Sequence, residues 1–280
     1  MKRTNPVKFW AQRLSLRHVL TGMVLLWVLL LILFPLGGMF QKVLAAEPVS
    51  CLKSLLAPSA RLSFKLTFWL TLGAVILNTF FGLVIALILV RQNFRGKLLL
   101  EGLIDLPFAV SPVVTGFMFI TLFGNNSIMG HFFDEKGIRI IYAFPGMMLV
   151  TLFVTFPFVI REIVPVLKEY GVEQEESAYV LGASSWQTFR KVTLPSIKWG
   201  LLYGITLTIA RSIGEFGAVL VVSGAIINKT QTATLYVHQQ FTDFNYTGAF
   251  AAASVLALIS FVFIMMIQFS QKKVKGGTWE

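Results

Sequence analysis

Long apolar runs separated by short polar breaks dominate this chain. Six of them, at 19–40, 64–90, 106–124, 140–160, 200–226 and 248–269, reach the roughly 20 residues that carry a helix across a bilayer. No water satisfies backbone N–H and C=O groups in hydrocarbon, and an open strand edge cannot survive there, so the runs predict helices. The expected fold is all-α and polytopic, with about six transmembrane helices. Two polar stretches are long enough to stand outside this pattern. One is the loop between the first two runs, and the other spans 161–199.

Composition agrees with the pattern. Of 280 residues, 56% are hydrophobic and 13% charged, against about 25% charged in soluble domains; the mean hydropathy is +0.75. The formal charge of +11 does not imply nucleic acid, because no basic groove or interleaved aromatic platform accompanies it. The basic residues cluster in the loops instead. Lys2, Arg3, Lys8, Arg13, Arg17, Arg91, Arg95, Lys97, Arg161, Lys168, Arg190, Lys191, Lys198, Lys272, Lys273 and Lys275 fall on one side of the six-span layout. Lys42, Lys53, Arg61, Lys65, Lys136, Arg139 and Lys229 fall on the other, and Arg211 lies inside a span. The positive-inside rule places both termini and the 161–199 loop in the cytoplasm.

The chain divides into an N-terminal cytoplasmic segment (1–18), a membrane domain (19–270) and a cytoplasmic tail (271–280). The basic start, the apolar core and the VLA before Ala46 also permit a cleavable signal peptide. Cleavage would remove one span without changing the orientation of the rest. The single cysteine, Cys51, permits no internal disulfide.

Chemistry concentrates in three stretches. The first is EQEESAYVLGASSWQTFRKVTLP at 173–195. Glu173, Glu175 and Glu176 suit the positive end of a short helix, and Gly182 is placed to stop it. Ser184, with Gln187 three residues later, forms the pattern of a capping box that opens a second helix. Pro195 is expected to end that helix before the fifth span. The second stretch is DLPFAVSP at 105–112, whose prolines predict an irregular start to the third span, with Ser111 and Pro112 as an N-cap and first-turn pair. The third is ARSIGEFGA at 210–218. Arg211 and Glu215 are four apart, share a helix face and can pair, while Gly214 and Gly217 allow close helix approach or a local break. A structural ion pair and a part in a translocation path or its gate both fit such intramembrane charges. Ser111, Gly214 and Gly217 are counted with Arg211 and Glu215 as candidates for the path or gate, Ser111–Pro112 being either a plain helix entry or a helix N-terminus whose amides face a passing anion.

Enzyme signatures are missing from the sequence. It has no H-E-x-x-H metal pair, no G-x-S-x-G elbow and no G-x-x-x-x-G-K-[ST] phosphate loop. No metal site is expected, and any ATP chemistry belongs to other chains.

The spacing Glu176-Ser177-Ala178-x-x-x-Gly182, nine residues, then Val192-Thr193-Leu194-Pro195 resembles the EAA loop of ABC-importer permeases. The departures from the family pattern are Ser177 for alanine and Val192 for isoleucine. DLPFAVSPVVTG, FPGMMLVTLFVTFPFVIREIVPV and RSIGEFGAVLVVSG narrow the resemblance to the sulfate/thiosulfate branch and its W-type subunit, although molybdate and tungstate permeases are similar around ARxxGEFGA. The resemblance implies a type I importer fold in the bacterial cytoplasmic membrane. It implies that the 161–199 loop is a coupling element docking on a cytoplasmic ATPase through Glu176, Ser177, Ala178, Gly182, Val192, Leu194 and Pro195. It implies a second, T-type permease, two ATPase subunits that carry ATP and Mg, and an extracytoplasmic sulfate-binding protein. A molybdate or tungstate permease and an ion-coupled secondary transporter are the alternatives; the latter would need no coupling loop.

Overall fold

The computed structural model describes residues 18–275, with side chains up to 265. The basic N-terminal segment and the end of the tail lie outside the described residues. Among the described residues, four helices are long and apolar enough to cross a membrane: α1 (His18–Ala45), α3 (Pro58–Arg91), α7 (Phe144–Tyr170) and α12 (Tyr246–Lys275), the last over Tyr246–Met265. Two bent pairs supply the other expected spans. These are α4 (Lys97–Ala109) with α5 (Pro112–Phe123), bent by 112°, and α9 (Ser185–Ile213) with α10 (Gly217–Ser223), bent by 53°. Short helices α2 (Pro48–Leu56), α6 (Ile128–Asp134), α8 (Glu173–Val180) and α11 (Ala233–Thr242) complete the described residues.

The third expected span therefore starts six residues later than its apolar run, at Pro112, and residues before Ala109 belong to a separate helix. Pro112 has no N–H to donate back into α4, and Val110 and Ser111 adopt extended backbone, so the turn is forced there.

α7 is the central helix and packs against both α3 and α9. Half of its apolar stretch is buried. Val159 shows how closely the three approach. A Cβ at Gly82 of α3 would stand 3.0 Å from Val159 Cβ, and one at Gly204 of α9 would stand 2.9 Å from its Cα. Small residues allow such contact where lipid offers no hydrophobic drive for helix association. A polar link adds to it: Asn78 Nδ2 donates to Thr155 Oγ1 at 2.8 Å and to the Leu152 carbonyl at 3.1 Å. Between α11 and α2, Tyr236 donates its hydroxyl to the Ser54 carbonyl at 2.9 Å, and burial pushes its pKa up.

Two prolines inside long helices share one solution. Pro35 in α1 and Pro195 in α9 each follow a π-helical turn, at Leu29–Leu33 and Phe189–Thr193. In both cases the next residue's N–H reaches five back, from Phe34 to Leu29 and from Leu194 to Phe189. The wider turn makes room for the ring and for the missing donor. Pro195 does not end the helix that opens after Ser184, as the sequence suggested. The helix that opens at Ser185 runs on through the proline into the fifth span.

Candidate functional site: a surface hairpin and a broken span

The hairpin forms by local rules. α8 ends with Leu181 as its C-cap, and Gly182 follows with φ of +81°. Gly182 N–H donates to the Tyr179 carbonyl at 2.9 Å and Ala183 N–H to the Ala178 carbonyl at 3.0 Å. This is the Schellman arrangement, which favours glycine at the left-handed position. Ser184 and Gln187 then close a reciprocal capping box, with Ser184 N–H donating to Gln187 Oε1 at 2.9 Å and Gln187 N–H to Ser184 Oγ at 3.3 Å.

Glu175 ties the hairpin to the helices beneath it. Its Oε1 lies 3.0 Å from Arg91 Nη2, at the end of α3, and accepts from Thr193 Oγ1, in the π turn of α9, at 2.8 Å. The Glu175 side chain is only 14% exposed. Sequence reading assigned Glu175 to the helix dipole and missed this role, because Arg91 lies 84 residues away.

The motif residues divide into two groups. Glu176, Ser177 and Gly182 are exposed and Ala178 is half-buried, whereas Val192 and Leu194 are half-buried in the continuous α9, with Pro195 exposed. Ser177 Oγ donates to the Glu173 carbonyl at 2.7 Å. A Cβ at Gly182 would meet nothing within 4 Å. Around the tip stand apolar side chains that the motif does not include: Val180 and Leu181, each 87% exposed, Trp186 at 67% and Tyr179 at 50%. For Tyr179, Val180 and Leu181 the signal in the sequence was the YVL triplet inside an otherwise polar stretch. Covering such a valine or leucine completely is worth about 1.5–3 kcal/mol.

The second cluster lies at the break between α9 and α10. Arg211 and Glu215 do pair, at 2.6 Å between Nη1 and Oε2, but they do not share a helix. Arg211 sits in the last turn of α9 and Glu215 in the non-helical break, so the pair closes across the helix end. Glu215 is 2% exposed. Its Oε1 accepts from Ala218 N–H in the first turn of α10 at 2.9 Å, and its carbonyl accepts from Thr234 Oγ1 at 2.7 Å. Ala233 N–H, beside Thr234, donates to Thr67 Oγ1 of α3 at 2.8 Å.

Gly217 lies where the two bent pairs meet. A Cβ there would stand 3.1 Å from Pro112 Cβ and 3.3 Å from Val113 Cγ2. The chain thus brings Ser111–Pro112 and the Arg211–Glu215 break together, with Gly217 as the contact. Ser111 takes the N-cap position of α5, but its side chain makes no capping bond and is exposed. Gly214 is less constrained, since a Cβ there comes no closer than 3.5 Å to the Ala210 carbonyl oxygen. Among the described residues no group of His, Cys, Asp and Glu could hold a metal ion.

A capped, braced hairpin on a bundle of apolar helices, two of them broken beside an intramembrane ion pair, defines a membrane transport subunit. Residues 78–276 match the family described as binding-protein-dependent transport system inner membrane component, and the chain belongs to that family. It is 42% identical over 259 residues to the sulfate transport system permease protein CysW of Synechocystis sp., covering 92% of this chain and 94% of that one. To the sulfate transport system permease protein CysT of Escherichia coli it is 36% identical over 265 residues, covering 92% and 96%. Its fold is similar to that of a chain from a bacterial alginate ABC transporter solved in complex with an alginate pentasaccharide-bound periplasmic protein. The TM-score is 0.78 at 14% identity, with 94% of this chain and 96% of that chain covered.

Proposed function

We propose that this chain is the W-type permease subunit of an ATP-driven importer of sulfate and thiosulfate in the bacterial cytoplasmic membrane. Both termini and the hairpin face the cytoplasm. The observation that carries the reading is the hairpin: its ends are capped, Glu175 braces it to two helices, and its apolar tip has no cover within the chain among the described residues. Such an element transmits rigid-body motion, which a slack loop would absorb. The greater identity to the W-type relative than to the T-type one supports the choice of subunit.

In this reading two ATPases bind ATP and Mg and close on each other, and one of them grips the hairpin tip around Ala178, Leu181 and Gly182. Val192, Leu194 and Pro195 carry the motion along α9 without a joint, because the helix is continuous there. At the far end of α9 the break at Gly214–Gly217 takes up the change, with Arg211 and Glu215 holding α10 and Ser111–Pro112 beside it. A T-type permease completes the pathway, and an extracytoplasmic binding protein delivers the anion.

Labelled-sulfate uptake in cells lacking the chain and in cells with it restored tests the reading. Uptake that needs the chain and is competed by thiosulfate, and not by molybdate, is the expected result. Unchanged sulfate uptake with molybdate uptake lost would overturn the substrate while keeping the permease. The brace is tested separately. Glu175→Ala leaves the Arg91 guanidinium, 19% exposed, without its carboxylate, a loss of about 1.5–3 kcal/mol for a hydrogen bond to a charged group. Uptake per ATP hydrolysed is expected to fall while the ATPases remain bound, as read in a reconstituted complex.

A further inference from the structure

A small cavity lies inside the bundle, beside the break between α9 and α10. The parts that meet around it are α3 through Leu70, α7 through Thr151, the last turn of α9 through Ser212, the break through Glu215, α10 through Val219 and the cap of α11 through Thr232. The volume open to the centre of a water molecule is about 10 Å³, room for one and not for two.

Two side chains on this wall are buried with hydrogen-bonding capacity unspent. The hydroxyl of Ser212, 5% exposed, has no partner among the described residues. Glu215 Oε2 meets Arg211 as a charge at 2.6 Å but accepts no hydrogen bond. Buried polar atoms are nearly always bonded to protein or to ordered water, so this pair points to a partner that is not a side chain. Thr151, also buried, donates to the Met147 carbonyl at 2.8 Å and keeps its oxygen able to accept. Thr67, the remaining polar group of α3 on this wall, already donates to the Ser63 carbonyl and accepts from Ala233 N–H.

The lining selects the occupant. A carboxylate on the wall repels an anion, and Arg211 already supplies the cation that Glu215 needs, so neither sign of charge is called for. A water accepts from the Ser212 hydroxyl and donates to Glu215 Oε2 and Thr151 Oγ1. Such a water makes about three bonds, the usual number for one that is buried.

We propose that this cavity binds one water, which links the end of α9, the break and α7 and serves as an exchangeable member of the cluster that holds the bend. A bond through water is nearly as good as a direct one, and it can pass from one acceptor to another as the bend alters. The site does not depend on which anion is carried; its service to the break rests on the transport reading.

The test exposes the whole complex (this chain, the second permease and both ATPases) in lipid nanodiscs to short X-ray pulses, with hydroxyl labelling read by mass spectrometry. Radicals formed from water label a buried side chain only where a water stands beside it. Leu70 and Val219 are expected to label several times faster than Val150 and Leu167, which are equally buried and do not line the cavity. After brief mixing into heavy-oxygen water, the label on Leu70 and Val219 should stay light while exposed side chains turn heavy. Ser212→Ala combined with Thr151→Val removes two of the water's partners with little change of shape. It is expected to bring Leu70 and Val219 down to the rate of the reference residues and to lower anion uptake several-fold.

Labelling of Leu70 and Val219 no faster than the references in the unaltered complex overturns the proposal without any variant. So does heavy label arriving there as rapidly as on exposed side chains, which makes the cavity an inlet of bulk water. Fast labelling that persists in the double variant overturns the bonds assigned to the water. Unchanged uptake after the labelling is lost overturns its service to the break. If the unaltered complex carries no anion, the importer reading falls, and the labelling still decides the water site.

Discussion

Glu215→Ala is expected to abolish uptake and to destabilise the chain by about 1.5–3 kcal/mol, the loss of a hydrogen bond to a charged group. The Arg211 left behind is 30% exposed, so solvent meets part of its charge. Two interactions and burial explain the size. The carboxylate neutralises Arg211 at 2.6 Å and accepts the Ala218 N–H at the start of α10, and it does so at 2% exposure. The 53° bend between α9 and α10 is thereby held by a side chain as well as by the backbone. Replacing both partners, as Arg211→Leu with Glu215→Gln, removes the stranded charge and leaves an acceptor for Ala218. Much of the lost stability should return, while uptake should not if the charges serve transport. Thermal unfolding of the purified permease pair, set beside sulfate uptake, checks both. Equal loss in the single and double variants would sink the ion-pair explanation.

Gly182→Asp is expected to remove the ATPases from the complex and to stop uptake, with the membrane bundle intact. Two costs fall on the same residue. A side chain at φ +81° costs about 1–2 kcal/mol of backbone strain. The new Cβ meets nothing in this chain, so any further loss comes from the surface that docks there. Gly182→Ala carries the strain without the charge and is expected to keep part of the association. Co-purification of the ATPases with each variant reads the difference. Full association and uptake in Gly182→Asp would refute the docking role.

The hairpin was largely legible in the sequence because its rules are local. A glycine after a short helix and a serine three residues before a glutamine satisfy backbone groups within one turn, and both motifs close as expected at Gly182 and at Ser184–Gln187. The extent of the second hairpin helix was not legible. A proline reads as a stop, and only the π turn before Pro195 shows how the helix passes it. Arg211 and Glu215 were expected to pair from their spacing, and they do. Spacing alone could not reveal that the helix ends between them, since a glycine in an apolar helix is compatible with continuation or with a break. Pro112, packed against Gly217 from another segment, marks where the two bent pairs meet. The Glu175 brace to Arg91 had no sequence signal at all.

What the sequence determined by itself was the solvent of each segment and the local motifs. Lipid selects long apolar helices whatever they pack against, and caps act within a turn. The tertiary structure decided where two of the spans break and which charges meet. Those outcomes depend on contacts between residues far apart in the chain, such as Gly217 with Pro112 and Glu175 with Arg91, whose energies exist only once the helices have packed.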